Sequence, residues 1–119
     1  MENIKVKENR YYECGDGWIP LIKEAEEIVK KYNEDHPNLT YPVEFTQIKE
    51  KFGYLNLYLN HYPEDLLDKM LELSSKSREI CEICGKPAKT FKLHGWLYTY
   101  CDECKQKEKE RLENIFNKK

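Results

Sequence analysis

Residues 81–104 read CEICGKPAKTFKLHGWLYTYCDEC. Two C-x-x-C pairs, Cys81/Cys84 and Cys101/Cys104, are separated by sixteen intervening residues, which is the spacing of a structural zinc site. Two thiolates at i and i+3 converge on one ion where the chain turns tightly. Gly85, directly after the first pair, supplies the permissive backbone that such a knuckle needs. Four sulfurs close a tetrahedron and leave no position for water or substrate, so the expected Zn2+ is structural and not catalytic. The spacing favours this reading over a pair of disulfides or four unrelated thiols.

Between the pairs the pattern is that of a β-hairpin. With His94-Gly95 as a two-residue turn, Leu93 faces Trp96 and Phe91 faces Tyr98. Phe91, Leu93, Trp96, Tyr98 and Tyr100 then share one face, and Thr90 and Lys92 take the other. The second pair opens a helix with Asp102 and Glu103 in its positive first turn, and Leu112, Ile115 and Phe116 give it an apolar stripe at i, i+3, i+4. Knuckle, hairpin and a helix beginning at the last two ligands resemble a treble-clef zinc finger, over roughly a third of the chain by the usual spacing criterion. That resemblance implies a metal and no particular task, because one zinc scaffold serves many unrelated functions.

Upstream, Ile4 and Val6 alternate with Lys5 and Lys7 as a short strand. CGDGW at 14–18 marks a tight loop, with Asp16 expected to cap the helix that follows. Pro20 suits that helix's first turn, and Leu21, Ala25, Ile28, Val29 and Tyr32 repeat at helical spacing up to the break at Asn33–Pro37. Cys14, which has no C-x-x-C partner, reads as a small buried residue. Residues 43–60, VEFTQIKEKFGYLNLYLN, form a second hairpin. A two-residue Phe52-Gly53 turn sets Ile48 against Leu57, puts Leu55, Leu57 and Leu59 inside, and leaves Gln47, Lys49, Lys51, Tyr54, Asn56 and Tyr58 outside. A three-residue turn would bring Lys49 inward, so the first register is preferred. Phe52 fits neither pattern and is expected to fold back over the sheet. Residues 63–79 form a second helix, with Pro63, Glu64 and Asp65 at its start and Leu66, Leu67, Met70, Leu71 and Leu73 as its buried stripe.

The predicted order is β-α-β-β-α followed by the finger. This is an α+β fold, with a small antiparallel sheet carrying helices on one face, divided at 1–76 and 77–119 and packed as one unit. At 119 residues, 35 % charged yet holding nine tyrosines and two tryptophans, the chain reads as globular and not disordered. Its start, MENIKVKENR, lacks the apolar stretch of a secretory signal, and no apolar run reaches membrane-span length. A cytoplasmic location, with reduced thiols and no membrane partner, is the expectation.

The formal charge of −2 hides an asymmetry. Residues 1–75 hold nine Lys+Arg against fifteen Asp+Glu, a balance of −6, and residues 76–119 hold eleven against seven, a balance of +4. Four ligand thiolates and one zinc leave the finger near +2, well short of a committed duplex binder.

CGDGW at 14–18, QIKEKFG at 47–53 and the C-x-x-C-G…GW…C-x-x-C ending resemble a group of small bacterial proteins, some from phage and prophage regions. The resemblance brings no activity with it and implies a mobile-element context, with the host cytoplasm as the location of a phage-encoded chain. In that group the strand after KEKFG commonly continues Gly-Leu-Arg-aromatic; here Asn56 stands at the arginine position.

For catalysis, a nuclease built on such a finger needs a histidine base and a His/Asn metal set beside it. Only His94 lies in the module, while His36 and His61 sit at element boundaries. No phosphate loop, H-E-x-x-H or G-x-S-x-G is present. The expectation is a non-enzymatic zinc-binding protein-interaction module, in the phage setting a modulator of a host or defence protein. The alternative is a nucleic-acid or nucleotide binder. The candidate partner surface is Gln47, Lys49, Lys51, Tyr54 and Tyr58, extended across the finger by Lys92, Trp96 and Tyr98.

Overall fold

The computed structural model describes residues 12–117. The strict alternation after Gly53 produces a hairpin of β2 (Phe45–Lys51) and β3 (Tyr54–Leu59). Phe52 and Gly53 form its two-residue turn at φ 59° and 85°, the doubly positive backbone whose twist matches that of paired strands. Ile48 accordingly faces Leu57, and Lys51 faces Tyr54. Ile48, Leu55, Leu57 and Leu59 are buried, so Gln47, Lys49, Lys51, Tyr54, Asn56 and Tyr58 fall on the opposite face. Phe52 does not fold back over the sheet. It stands 65 % exposed at the tip, because it lies beyond the last cross-strand pair, Lys51 with Tyr54.

Tyr12–Glu13 forms β1, which pairs parallel with β2. The three-stranded sheet is therefore mixed and not wholly antiparallel: β1 and β2 are joined by a helical crossover, which returns a strand in the same direction. The strand expected at Ile4 and Val6 lies outside the described residues.

Helix α1 (Ile19–Asp35) buries Leu21, Ile22, Ala25 and Val29 and carries Pro20 in its first turn. Asp16 does not cap it. Asp16–Trp18 forms a short 3-10 turn, and Trp18 occupies the N-cap position without a side-chain cap hydrogen bond. Helix α2 (Glu64–Ser77) buries Leu66, Met70 and Leu73. Leu67 and Leu71, expected in its buried stripe, are exposed, since only one narrow row of this helix meets the core. Both helices join the inner sheet face in one apolar cluster that includes the fully buried Trp18.

The finger follows as β4 (Lys89–Leu93), β5 (Trp96–Tyr100) and α3 (Asp102–Asn117). His94-Gly95 is a second doubly positive turn, at φ 53° and 84°, and Leu93 pairs with Trp96 and Phe91 with Tyr98. Phe91, Tyr98 and Tyr100 form an aromatic cluster, and the Lys105 ammonium lies 4.5 Å from the Phe91 ring centre. Farther along α3, the Phe116 ring meets His94 at the hairpin turn, and both Ile115 and Phe116 are more than half exposed. No helix among the described residues is long and apolar enough to cross a membrane.

Candidate metal centre

Cys81 and Cys84 sit on a tight turn. The Cys81 amide donates to the Lys86 carbonyl at 2.7 Å, and the Gly85 amide donates to the Cys81 carbonyl at 2.9 Å. Gly85 lies at φ 85°, a conformation that costs a residue with a Cβ. Cys101 directly follows β5, and Cys104 lies in the first turn of α3, where its amide donates to Cys101 Sγ at 3.5 Å. The four Sγ atoms fall within 4.8 Å of one another, and Cys84 and Cys101 are 3.6 Å apart. A tetrahedron with metal–sulfur bonds of ~2.3 Å has sulfur–sulfur edges of roughly 3.8 Å, whereas a disulfide requires about 2.05 Å. The donor set fits a four-sulfur metal site. Cys81 and Cys101 are buried while Cys84 is exposed, which gives an ion a route in from one side.

The local electrostatics favour one sulfur as the first to ionise. Burial works to raise the Cys81 thiol, but backbone hydrogen bonds from Cys101, Cys84 and Ile83 outweigh it and bring it down to about 7. Cys104 is pushed up to about 12, by burial first and then by hydrogen bonding among the thiols.

The CGDGW loop docks onto this knuckle. The Gly17 amide donates to the Glu82 carbonyl at 2.7 Å, the Gly15 amide to the Glu82 carboxylate at 2.9 Å, and the Trp18 indole to the Ile80 carbonyl at 2.8 Å. A Cβ on Gly17 would lie 2.1 Å from the Cys81 carbonyl oxygen and 2.6 Å from the Gly85 nitrogen. Close backbone approach, not a left-handed φ, is what requires glycine there. Burial, reinforced by Glu82, Asp16 and Glu50, pushes the Cys14 thiol up to about 12, so at neutral pH it is a protonated, half-buried packing residue. Sequence reading found the glycines but not what they approach. The usable signal was two glycines within three residues, followed by a large aromatic.

A second seam joins the hairpins. Thr99 donates its hydroxyl to the Gly53 carbonyl, Thr90 and Thr99 share a hydrogen bond at 2.6 Å, and Leu97 closes on Gly53 from the same side. Nearby, buried Ser77 accepts from the Leu55 amide at 2.9 Å.

The seam sorts the candidate partner residues. Lys49, Lys51, Lys92 and Trp96 come together, with Phe52 and Leu97, around one groove of about 560 Å³. Gln47 lies along the sheet, where its amide donates to Glu13, and Tyr58 pairs with it across the strands. Tyr54 is stacked under the Arg78 guanidinium at 4.0 Å. Tyr98 does not join the groove, because it belongs to the aromatic cluster of the other hairpin face. Phe52 was not among the expected partner residues. Each histidine has a local contact: His36 with the Tyr32 carbonyl, His61 with the Tyr41 carbonyl and His94 with the Phe116 ring.

Comparison of the chain with family models, with curated proteins and with solved structures returns no match. The residues themselves establish an α+β chain whose four clustered C-terminal cysteines could hold a metal ion.

Proposed function

We propose that this chain is a non-enzymatic, zinc-stapled binding module. The metal, held by Cys81, Cys84, Cys101 and Cys104 in a treble-clef-like finger, seats the second hairpin against the tip of the first, and side chains from both then form one surface for a macromolecular partner. The observation that carries this reading is the seam at Gly53, where Thr99, Thr90 and Leu97 of the finger meet the turn of the core hairpin. A four-sulfur site has no open coordination position for a substrate, which supports a structural role. The likeness of CGDGW and KEKFG to small phage and prophage proteins supports a cytoplasmic modulator that works by binding a host or defence component.

The test combines metal content with surface substitutions. Elemental analysis should return one zinc per chain, lost in Cys81→Ser and kept in Cys14→Ala. Lys51→Glu with Trp96→Ala, both at exposed positions, should melt within about 1 kcal/mol of wild type, as exposed substitutions do, yet lose the partner. A stable double variant that retains every wild-type partner would remove this surface from the account.

A further inference from the structure

Phe52 and Trp96 are the most unusual side chains on the surface. Phe52 sits in the two-residue turn of one hairpin and Trp96 directly follows that of the other; they are 65 % and 71 % exposed, and they line the same groove. Phe52 also holds a left-handed backbone at φ 59°, where glycine, asparagine or aspartate is the ordinary occupant and a bulky residue is strained. Neither burial nor turn geometry accounts for an aromatic there, and strain retained at an exposed position is a recurrent mark of a working site.

The charges around the two rings point to the ligand. Lys49, Lys51 and Lys92 line the groove, and the Lys51 ammonium lies 5.4 Å from the Phe52 ring centre. Among the described residues the one carboxylate in the lining, Glu50, accepts from the Gly53 amide at 2.9 Å. Glu13, the nearest acidic neighbour along the sheet, sits beside Lys49 in register and accepts from Gln47. Three ammonium groups around two flat rings suit a polyanion that carries exposed planar bases. A duplex keeps its bases stacked away from such rings, and the acidic balance of −6 over residues 1–75 opposes its denser charge. An anionic membrane would meet convex tips, whereas these rings border a concavity.

We infer that the groove between the two hairpin tips binds single-stranded nucleic acid, with Phe52 and Trp96 stacking on bases and Lys49, Lys51 and Lys92 contacting phosphates. The inference rests on the binding-module reading and names its ligand. Three phosphate contacts on a single strand give a slope of log affinity against log salt of about −2, a weak and salt-sensitive interaction without sequence preference.

Trp18, the other tryptophan, is fully buried, so a change of indole emission on ligand addition reports Trp96. Metal-loaded protein should be titrated with a short oligothymidylate, its duplex form, linear polyphosphate and phosphatidylserine vesicles. The oligothymidylate should quench the emission with the stated salt slope, and the duplex should bind at least about tenfold more weakly. Polyphosphate should leave the emission unchanged. Phe52→Asn relieves the turn, so it folds at least as well as wild type, and it should weaken binding by roughly tenfold, the lower part of the range for one stacked base. Equal binding by Phe52→Asn, polyphosphate acting as well as the oligonucleotide, or a response to vesicles alone would overturn the inference. If the oligonucleotide fails while a protein partner is lost in Lys51→Glu/Trp96→Ala, this ligand is wrong and the module reading stands. If no ligand or partner responds to these variants, both are wrong.

Discussion

The indole N–H of Trp18 donates to the carbonyl of Ile80 at 2.8 Å, tying the best-buried aromatic of the core to the residue just before the first cysteine of the cluster. A core side chain thus positions one wall of the finger. Trp18→Phe keeps most of the apolar volume but leaves the Ile80 carbonyl without this donor. The expected cost is about 1–3 kcal/mol by denaturant titration, together with faster loss of zinc to a competing chelator. Unchanged zinc retention would mean that the tie is not part of the metal site's support.

Gly17→Ala should be the more damaging change, since its Cβ would meet backbone atoms of Cys81, Glu82 and Gly85, and backbone cannot rotate aside. Overpacking costs about 1–3 kcal/mol and occasionally more, and a Cβ 2.1 Å from the Cys81 carbonyl oxygen puts this change at or above the top of that range. The same variant should bind zinc more weakly, measured by chelator competition. An alanine protein with wild-type melting and zinc affinity would show that the loop does not seat on the knuckle.

Both hairpin registers, the two core helices and the cysteine cluster were legible, because alternation, helical periodicity and C-x-x-C spacing are local signals. What was not legible depends on distant parts of the chain. Nothing near Gly17 announces that Cys81 will lie against it, and nothing near Gly53 announces Thr99. Asp16 looked like a cap because its type and position fit, but a 3-10 turn carrying Trp18 into the core took precedence. Leu67 and Leu71 fit a buried stripe by spacing alone, and only the packed structure shows how narrow the contact row is. The hairpin register already set Tyr98 and Lys92 on opposite faces, but which of those faces would meet the core hairpin depended on the distant Gly53.

Cys14 should be nearly inert. With its thiol raised from 9.0 to about 12, the thiolate fraction at about pH 8 falls by roughly a thousandfold, and alkylation, which requires the thiolate, falls with it. Peptide mapping after iodoacetamide treatment should find Cys14 unmodified in folded protein and modified after denaturation. Rapid labelling in the folded state would mean that the loop opens or that the thiol is ionised.

Phe52→Asn should raise stability by about 1 kcal/mol, because asparagine tolerates the left-handed backbone at which phenylalanine is strained. A melting curve checks this without any ligand. Destabilisation would show that the phenyl ring supports the fold from outside the core, and would remove the strain argument for a working site.

Hydrogen exchange on zinc-loaded and chelator-treated protein, with metal removal verified by elemental analysis, shows whether the metal holds the finger on the core. If the metal seats the finger on the core, chelation should expose the amides of 81–104 and the Gly17 amide, which donates to Glu82. Ile48 and Leu57, paired within the core hairpin, should stay protected. Retained protection of 81–104 and Gly17 after full zinc loss, or loss of protection at Ile48 and Leu57 as well, would contradict the account.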